Sequence, residues 1–191
     1  MTCLLAIDPS LSSCGCAIFH GPTLVRWARV TREVTTETPA VRAVAIARRI
    51  LEWSAATMSR IDAVAHEWPQ IYRAAKSAGD PNDLVAMAAV VAAVVVVLPP
   101  PIAHLAYTPA EWIGQLPKTM RVVGGRKRRK PRKGEEWETP RGRLIAKVLT
   151  PAERAIAEGA NHDAIDAIGI GLHALGRLRA AMRVFPGATP G

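Results

Sequence analysis

The sequence predicts an α/β domain in which a mixed five-stranded sheet is flanked by helices. Three short strand-like segments come first and are joined by turns, which indicates antiparallel pairing. Strand-like and helical segments then alternate, and this order gives parallel strands linked by crossover helices. Thr-Pro pairs recur along the chain where helices are predicted to begin, because proline suits the first position of a helix.

Five segments have the length and composition of strands. The second and third form a predicted hairpin that turns at Gly21-Pro22. The fourth is a short apolar run that ends in an acid, as a buried strand does, and the fifth follows a helical segment. The predicted strands cover residues 3–8, 14–20, 23–30, 61–67 and 102–107.

Helical periodicity and capping residues account for most of the remaining chain. A long amphipathic helix is predicted from about Pro39 to Met58. Three later helices open with Thr-Pro pairs, and two of these also have the Thr-x-x-Glu pattern of a capping box. Those three openings are Thr108-Pro109, Thr139-Pro140 and Thr150-Pro151, and an acidic helix over 162–182 follows them.

The longest apolar stretch runs from Leu84 to Leu98. Asp80 as N-cap and Pro81 at the first helical position predict a helix over 81–98 that is buried on nearly all sides. Its valines lower helix propensity, so an extended C-terminal half is the alternative. The stretch is shorter than the roughly 20 residues that span a bilayer, and we expect no membrane association.

Two of the predicted strands end in an acidic residue. Asp8 follows the apolar run 3–7, and Glu67 follows the run 61–66. An unpaired carboxylate inside a core would cost several kcal/mol, so both acids are expected at the edge of the sheet.

Two more acids begin the last predicted helix. Asp163 and Asp166 are three residues apart, and Asn161 can serve as the N-cap, so both lie in the first turns on one helix face. Each acid taken singly could be a helix cap or a solvated charge. His162 could bind a metal or act as a general acid, but a histidine at a helix start is more often a cap or a surface residue.

Four carboxylates in one place would repel one another unless a proton or a divalent cation relieved the repulsion. Hard oxygen ligands suit Mg²⁺, and Mn²⁺ can substitute for it. Two such ions about 3.5–4 Å apart can clamp the attacking and leaving oxygens of a phosphodiester. We therefore expect Asp8, Glu67, Asp163 and Asp166 to be both the metal ligands and the catalytic residues of a nuclease that uses two metal ions.

Three motifs resemble the RuvC family of Holliday-junction resolvases, which are RNase H-like nucleases. Residues 6–15, Ala-Ile-Asp-Pro-Ser-Leu-Ser-Ser-Cys-Gly, are similar to the family's opening Ile-Asp-Pro-Gly-x-x-x-Thr-Gly segment. Ser10 and Cys14 stand where the family usually has Gly and Thr. Glu67 and the segment 163–168 resemble the family's remaining acidic positions.

This resemblance implies an RNase H-like fold and a crossover junction endodeoxyribonuclease that resolves branched DNA. It also implies a homodimer, since a resolvase cuts two strands symmetrically. An aromatic residue after the catalytic Glu helps to open the junction in that family, and Trp68 and Tyr72 are the candidates here. Trp68 could equally pack under the sheet edge. The family's basic residues near the scissile phosphate correspond to candidates among Lys118, Arg141, Arg143 and Lys147.

The formal net charge of +9 is concentrated in one internal tract. Glycines bound the tract and Pro131 interrupts it, so it is predicted to form a mobile loop that binds DNA phosphates. A solvated insertion or a targeting signal is the alternative. Its candidate DNA-binding residues are Arg126, Lys127, Arg128, Arg129, Lys130, Arg132 and Lys133.

The length and the cysteine content of the chain indicate its domain organisation and its cellular compartment. With 191 residues, 49% of them hydrophobic, the chain can bury one full core. We expect a single domain over 1–183, with the basic loop at about 119–138 and a frayed tail over 184–191. Cys3, Cys14 and Cys16 have no zinc-binding or disulfide spacing, so they are predicted to be core residues of a cytoplasmic protein.

Three other functions fit parts of the pattern. A YqgF-like nuclease would use a similar set of acids on RNA. An inactive RNase H-like module would bind nucleic acid through the basic tract without cutting it. An actin-like phosphotransferase also begins with a strand that ends in Asp, but this chain has no second Gly-rich phosphate loop and is short for two lobes.

Overall fold

Five strands form one mixed sheet in this computed structural model, in the order β3-β2-β1-β4-β5. The structure describes residues 2–32, 37–57, 60–68, 81–98, 102–114, 116, 120–121, 128–129 and 131–178. β1 to β3 are antiparallel neighbours, whereas β4 and β5 run parallel to β1. The predicted mixed sheet is confirmed. The strands are β1 Cys3–Asp8, β2 Ser13–His20, β3 Thr23–Thr31, β4 Ala63–Glu67 and β5 Ala103–Tyr107.

Alternation along β1 sends side chains into two separate cores. Leu5 and Ile7 belong to the core on one face of the sheet, while Leu4 and Ala6 belong to the core on the other face. Successive side chains of a strand point to opposite faces, so a strand without polar residues is buried on both sides. Cys3, Cys14 and Cys16 are free and buried in the first of these cores, as the sequence predicts.

Six α-helices cover the two faces of the sheet among the described residues. The first two pack over the core that contains Leu5, and the last packs against β1 and β2 on the opposite face. Thr38, Thr139 and Thr150 cap their helices through their side-chain oxygens, which confirms the boundaries that the Thr-Pro pairs predict. The helices are α1 Pro39–Ala55, α2 Pro81–Val97, α3 Pro109–Trp112, α4 Pro140–Val148, α5 Pro151–Ile156 and α6 His162–Ala174.

Helix α2 forms as predicted but is more exposed than predicted. It stays helical to Val97, so the alternative of an extended C-terminal half is wrong. The prediction that it is buried on nearly all sides is also wrong, because Val85, Val96 and Val97 are 70%, 82% and 67% exposed. Among the described residues, the helix packs against α1 through the side that contains the buried Ala86, Val90 and Val94. In the described part of the chain, no helix has the length and apolarity needed to cross a membrane.

Helix α6 is shorter than its prediction over 162–182. It ends at Ala174, because Gly176 adopts a φ of 74° and the Gly176 N–H donates to the His173 carbonyl. Glycine adopts this left-handed conformation without a steric penalty and ends helices for that reason. Residues 179–182 and the predicted tail 184–191 lie outside the described residues.

A buried ion pair joins the β2–β3 hairpin to the helices. Glu153 is 1% exposed and accepts hydrogen bonds from both terminal nitrogens of Arg177, at 2.6 and 2.7 Å. The backbone N–H groups of Leu24 and Thr150 also donate to Glu153, each at 2.8 Å. Arg177 in turn donates to the Pro22 carbonyl at 2.7 Å. Hydrogen bonds of Glu153 and Arg177 therefore connect the turn of the hairpin to α5 and to the residues after α6.

Acid should weaken the fold through Glu153. Burial raises its pKa, but hydrogen bonds from Arg177, Leu24 and Thr150 outweigh burial and hold that pKa at about 2. The unfolded chain has a Glu pKa of about 4.3, so this stabilisation is complete above that value and is lost as the pH falls towards 2. We expect the free energy of unfolding, from urea titrations, to decline between about pH 5 and pH 2. The decline should persist in Glu158→Gln and be reduced in Glu153→Gln; equal declines in both would contradict the assignment.

Candidate active site

Two of the four predicted acids end neighbouring parallel strands. Ile7 of β1 is paired with His66 of β4, so the next residues, Asp8 and Glu67, lie side by side at the carboxyl edge of the sheet. Ligands of α/β sheets bind beyond this edge, where the strands end and the backbone turns away. The sequence prediction for both residues agrees with this position.

Gly15 brings the third acid to the same edge. Asp8 is paired with Gly15 of β2, and a Cβ atom on Gly15 would lie 1.9 Å from the backbone oxygen of Asp163. Any side chain larger than hydrogen at position 15 would therefore force α6 away from the sheet. Asn161 caps α6 as predicted, accepting a 3.1 Å hydrogen bond from the Ala164 N–H.

Four neighbours surround the Asp163 carboxylate. The Ser13 hydroxyl donates to Oδ2 at 2.6 Å, and Nε of Arg29 lies 3.3 Å from the same oxygen. Arg29 Nε also donates to Ser13 Oγ at 2.6 Å, so the hydroxyl proton of Ser13 is left to point at Asp163. His162 Nε2 lies 2.9 Å from Oδ1, and the Asn161 side chain donates to Oδ2 at 3.3 Å. These contacts fix the orientation of the Asp163 carboxylate.

The fourth acid, Asp166, has a different partner. It is 1% exposed, and its Oδ1 accepts a 2.9 Å hydrogen bond from Nη1 of Arg141, which is 8% exposed. Arg141 also donates to the Leu116 carbonyl at 3.3 Å. Asp163 and Asp166 thus share the start of α6, but one contacts β2 and β3 and the other contacts α4.

An indole joins Glu67 to this ion pair. Trp112 of α3 is fully buried, and its Nε1 donates to Oε2 of Glu67 at 2.9 Å. The guanidinium carbon of Arg141 lies 5.1 Å from the centre of the Trp112 ring, within the range of a cation–π interaction. Contacts therefore run without a break from Glu67 through Trp112 and Arg141 to Asp166.

The charges of two of the acids act on the thiol of Cys14. Burial, together with the negative charges of Asp8 and Asp163, raises its pKa to about 12, although its hydrogen bond to Ser10 acts in the opposite direction. The thiol donates to the Ser10 carbonyl at 2.9 Å and accepts from the Ser10 N–H at 3.2 Å. Cys14 therefore remains a neutral thiol that fixes the loop between Asp8 and β2.

The four acids suit a hard divalent cation by their chemistry, since carboxylate oxygens are the ligands that Mg²⁺ prefers. Asp8 and Glu67 supply such oxygens from adjacent strand ends. Within the part of the chain that the structure describes, however, no three acidic, histidine or cysteine side chains are grouped so as to hold a metal ion. The contacts above give a reason, because Asp166 is turned to Arg141 while Asp163 is turned to Ser13 and Arg29.

The predicted DNA-binding residues lie in different surroundings. Trp68 is 47% exposed beside the buried ring of His66, so it does not pack under the sheet edge. Arg143 and Lys147 are exposed on α4, whereas Arg141 of the same helix is turned inward to Asp166. The predicted residues that lie outside the described part of the chain are Tyr72, Lys118, Arg126, Lys127 and Lys130.

The basic tract contains regular structure where it is described. Two short strands, β6 Met120–Arg121 and β7 Arg128–Arg129, pair antiparallel. Arg129 donates to both carboxylate oxygens of Glu135, and this contact, with the Arg132 N–H, lowers the pKa of Glu135 to about 2. The described residues thus differ from a structureless loop, because an acid within the tract binds one of its arginines. Arg132 and Lys133 are exposed.

Sequence patterns did not point to three residues of this site. Arg29 is paired with Gly15 across the hairpin, but a register shift between Ile18 and Phe19 separates this pair from the turn, so counting back from Gly21-Pro22 would have paired Arg29 with Cys14 instead. Ser13 opens β2 in the segment that resembles the RuvC opening motif, but no pattern gave it a role. No sequence pattern indicated a role for Trp112, because Glu67 and Arg141, which it contacts, are distant from it in sequence.

Comparison with solved structures identifies the fold. The chain is similar to Thermus thermophilus RuvC in complex with a Holliday junction substrate, with 17% identity, a TM-score of 0.56, and 100% of both chains covered. It is also similar to a second Thermus thermophilus RuvC structure, with 20% identity, a TM-score of 0.52, and coverage of 95% of this chain and 97% of that one. No protein-family model and no curated protein sequence matches. The chain has a RuvC-like fold.

Proposed function

We propose that this chain, which has a RuvC-like fold, is a metal-dependent endonuclease that resolves branched DNA such as Holliday junctions. The observation that carries the proposal is the meeting of Asp8, Glu67 and the start of α6 at one edge of the sheet. The RuvC structure with a similar fold is bound to a Holliday junction substrate. A homodimer is part of the proposal, because a symmetric junction requires two cuts.

In this mechanism Asp8, Glu67, Asp163 and Asp166 would hold two Mg²⁺ ions, with Mn²⁺ able to replace them. When bound, such ions activate water and neutralise charge on a phosphodiester. The protein's own groups prepare the site: Ser13 and Arg29 contact the Asp163 carboxylate and orient it. Arg141 balances the charge of Asp166, and a bound cation would compete with Arg141 for that carboxylate.

A substrate panel tests this function directly. Purified protein with Mg²⁺ would be incubated with a four-way junction, a flap, a linear duplex and single-stranded RNA. Paired cuts at symmetric positions in the junction, absent when EDTA removes the metal, would support a resolvase. Cleavage of the RNA alone would instead support a YqgF-like nuclease. Binding without cleavage at any metal concentration would reject the nuclease function.

A non-catalytic RNase H-like module that binds nucleic acid is the second candidate. The observation that favours it is the buried pair of Arg141 with Asp166, which gives one acid a cationic partner without a metal. The same substrate panel separates the two functions, because the module would bind the junction in Mg²⁺ without cutting it.

DNA binding by the basic tract should depend steeply on salt. We expect serine substitutions at Arg126, Lys127, Lys130, Arg132 and Lys133 to weaken junction binding and flatten its salt dependence. Each lost phosphate contact reduces the slope of log affinity against log salt by about 0.9. Arg129 is left in place because it binds Glu135, so the melting temperature should stay nearly constant. Fluorescence anisotropy at several salt concentrations measures the slope.

The matched control replaces five exposed basic residues away from the tract, Arg26, Arg48, Arg49, Arg60 and Arg154, and changes the net charge equally. An equal loss of slope in both variants would show a general charge effect, and an unchanged slope in the tract variant would contradict the tract's role. DNA contacts would then be sought on Arg143, Lys147 and Trp68.

We also propose that residues 1–183 form one nuclease domain, with the tail 184–191 outside it, and that the protein works in the cytoplasm. The three buried cysteines support a reducing compartment, because all of them are free thiols.

A further inference from the structure

Trp112 occupies a position between two of the acids. Its indole N–H donates to Oε2 of Glu67 at 2.9 Å, while its ring lies 5.1 Å from the guanidinium carbon of Arg141. Arg141 then donates to Oδ1 of Asp166 at 2.9 Å. These four side chains come from β4, α3, α4 and α6, so a single residue of α3 contacts groups that belong to the sheet and to the helical layer.

The packing around the indole is specific to its shape. A Cβ atom on Gly169 of α6 would lie 2.6 Å from Cζ3 of Trp112 and 2.8 Å from Cδ1 of Ile145. Glycine inside a helix is less stabilising than alanine, yet only glycine leaves room for the indole at this point. Trp112 is fully buried, so its ring cannot move away from these neighbours without opening a cavity.

Each contact of Trp112 fixes the orientation of a different side chain, one that of Glu67 and the other that of Arg141. The indole nitrogen is a donor only, so it favours the rotamer of Glu67 that brings the accepting Oε2 within reach. The ring face attracts the Arg141 cation and holds its planar guanidinium in the orientation that meets Asp166. A shift of Trp112 would therefore change the positions of Glu67 and Asp166 together.

We propose that Trp112 is a positioning residue that couples Glu67 to the Arg141–Asp166 pair and so sets the relative placement of the two carboxylates. Its effect on metal binding and cleavage rests on the proposed nuclease function. Outer groups that orient ligand side chains change metal affinity or activity by about 10- to 100-fold when they are removed.

The first test removes the indole N–H. Trp112→Phe removes it together with part of the buried ring, and 3-benzothienylalanine at position 112 removes it with nearly the same shape. The matched control is Trp27→Phe, because Nε1 of Trp27 donates to the Ile156 carbonyl at 2.7 Å on another part of the surface. We expect both changes at position 112 to lower Mn²⁺ affinity, measured calorimetrically without DNA, by about 10- to 100-fold. The cleavage rate of bound junction should fall similarly, with junction affinity unchanged.

The second test does not depend on metal or on cleavage. A double-mutant cycle of 3-benzothienylalanine at position 112 with Glu67→Met, which removes the accepting oxygens, measures, by urea unfolding, whether the two residues interact. We expect the double variant to lose clearly less stability than the sum of the single losses. Additive losses would overturn the proposal, as would Mn²⁺ affinity and cleavage equal to those of Trp27→Phe. If the wild type cuts no substrate and binds no Mn²⁺, the nuclease function fails, while the cycle still decides whether Trp112 couples to Glu67.

Discussion

Replacing Asp8 with asparagine is expected to abolish cleavage of branched DNA and to leave DNA binding intact or tighter. Asparagine has the same shape, but it lacks the charge that a divalent cation requires at the end of β1. The same change removes a negative charge that faces the phosphates of the substrate, so affinity should not fall. Single-turnover cleavage and anisotropy binding measure the two effects separately.

Asp62→Asn is the matched control for this variant. Asp62 precedes β4 at the opposite end of the strands, where it accepts a 2.8 Å hydrogen bond from the Cys3 N–H. The control changes the net charge by the same amount at a distance from the acids, so it should keep its cleavage activity. If Asp8→Asn keeps more than a few per cent of the wild-type rate, the site assignment is wrong.

Glu67→Gln should behave like Asp8→Asn, because it alters the adjacent strand end. Asp166→Asn tests the site less cleanly, since it leaves the Arg141 cation buried beside a neutral group. Removal of one partner from a buried pair costs about 3–5 kcal/mol. A loss of activity in Asp166→Asn therefore has to be interpreted together with its free energy of unfolding.

Arg177→Met is expected to destabilise the fold by about 3–5 kcal/mol, because it leaves the carboxylate of Glu153 buried without its cation. Glu153 is 1% exposed, and Arg177 supplies two of its hydrogen bonds. Methionine keeps most of the aliphatic packing of arginine, so the loss reports mainly on charge and hydrogen bonding. Urea unfolding near neutral pH measures the difference.

Arg154→Met serves as the control, since Arg154 is exposed on α5 and donates to the Ala146 carbonyl at 2.8 Å. Surface substitutions of this kind change stability by about 0.5 kcal/mol or less. The double variant Glu153→Gln, Arg177→Met should lose less than the sum of its single losses, because neither charge remains without a partner. A loss below about 1 kcal/mol in Arg177→Met would contradict a stabilising role for the pair.

Asp8→Asn and Arg177→Met alter residues at different ends of the molecule. Asp8 lies at the carboxyl end of β1, whereas Glu153 and Arg177 contact the hairpin turn near Pro22 and Leu24. The folded fraction of Arg177→Met should therefore cleave at the wild-type rate. The effect of Asp8→Asn on cleavage and the effect of Arg177→Met on stability can therefore be measured independently.

Local patterns of the sequence determined the five strands, the helix starts and the positions of the acids. Apolar runs that end in Asp8 and Glu67 predict strand ends, because a carboxylate is excluded from the core by its hydration. Thr139, Thr150 and Asn161 predict helix starts, because their side chains satisfy backbone N–H groups of the first turn. These signals involve residues that are neighbours in the chain.

The tertiary structure alone decided which groups meet the acids. Arg141 looked like a phosphate ligand in the sequence, but it is buried against Asp166, 25 residues away. Trp112 reaches Glu67 across 45 residues, and Arg29 reaches the acids only through the register of the hairpin. The exposed valines of α2 are a further case, since helical periodicity cannot tell which side a neighbour covers. Such contacts depend on the relative placement of separate elements, and no local pattern of residues encodes that placement.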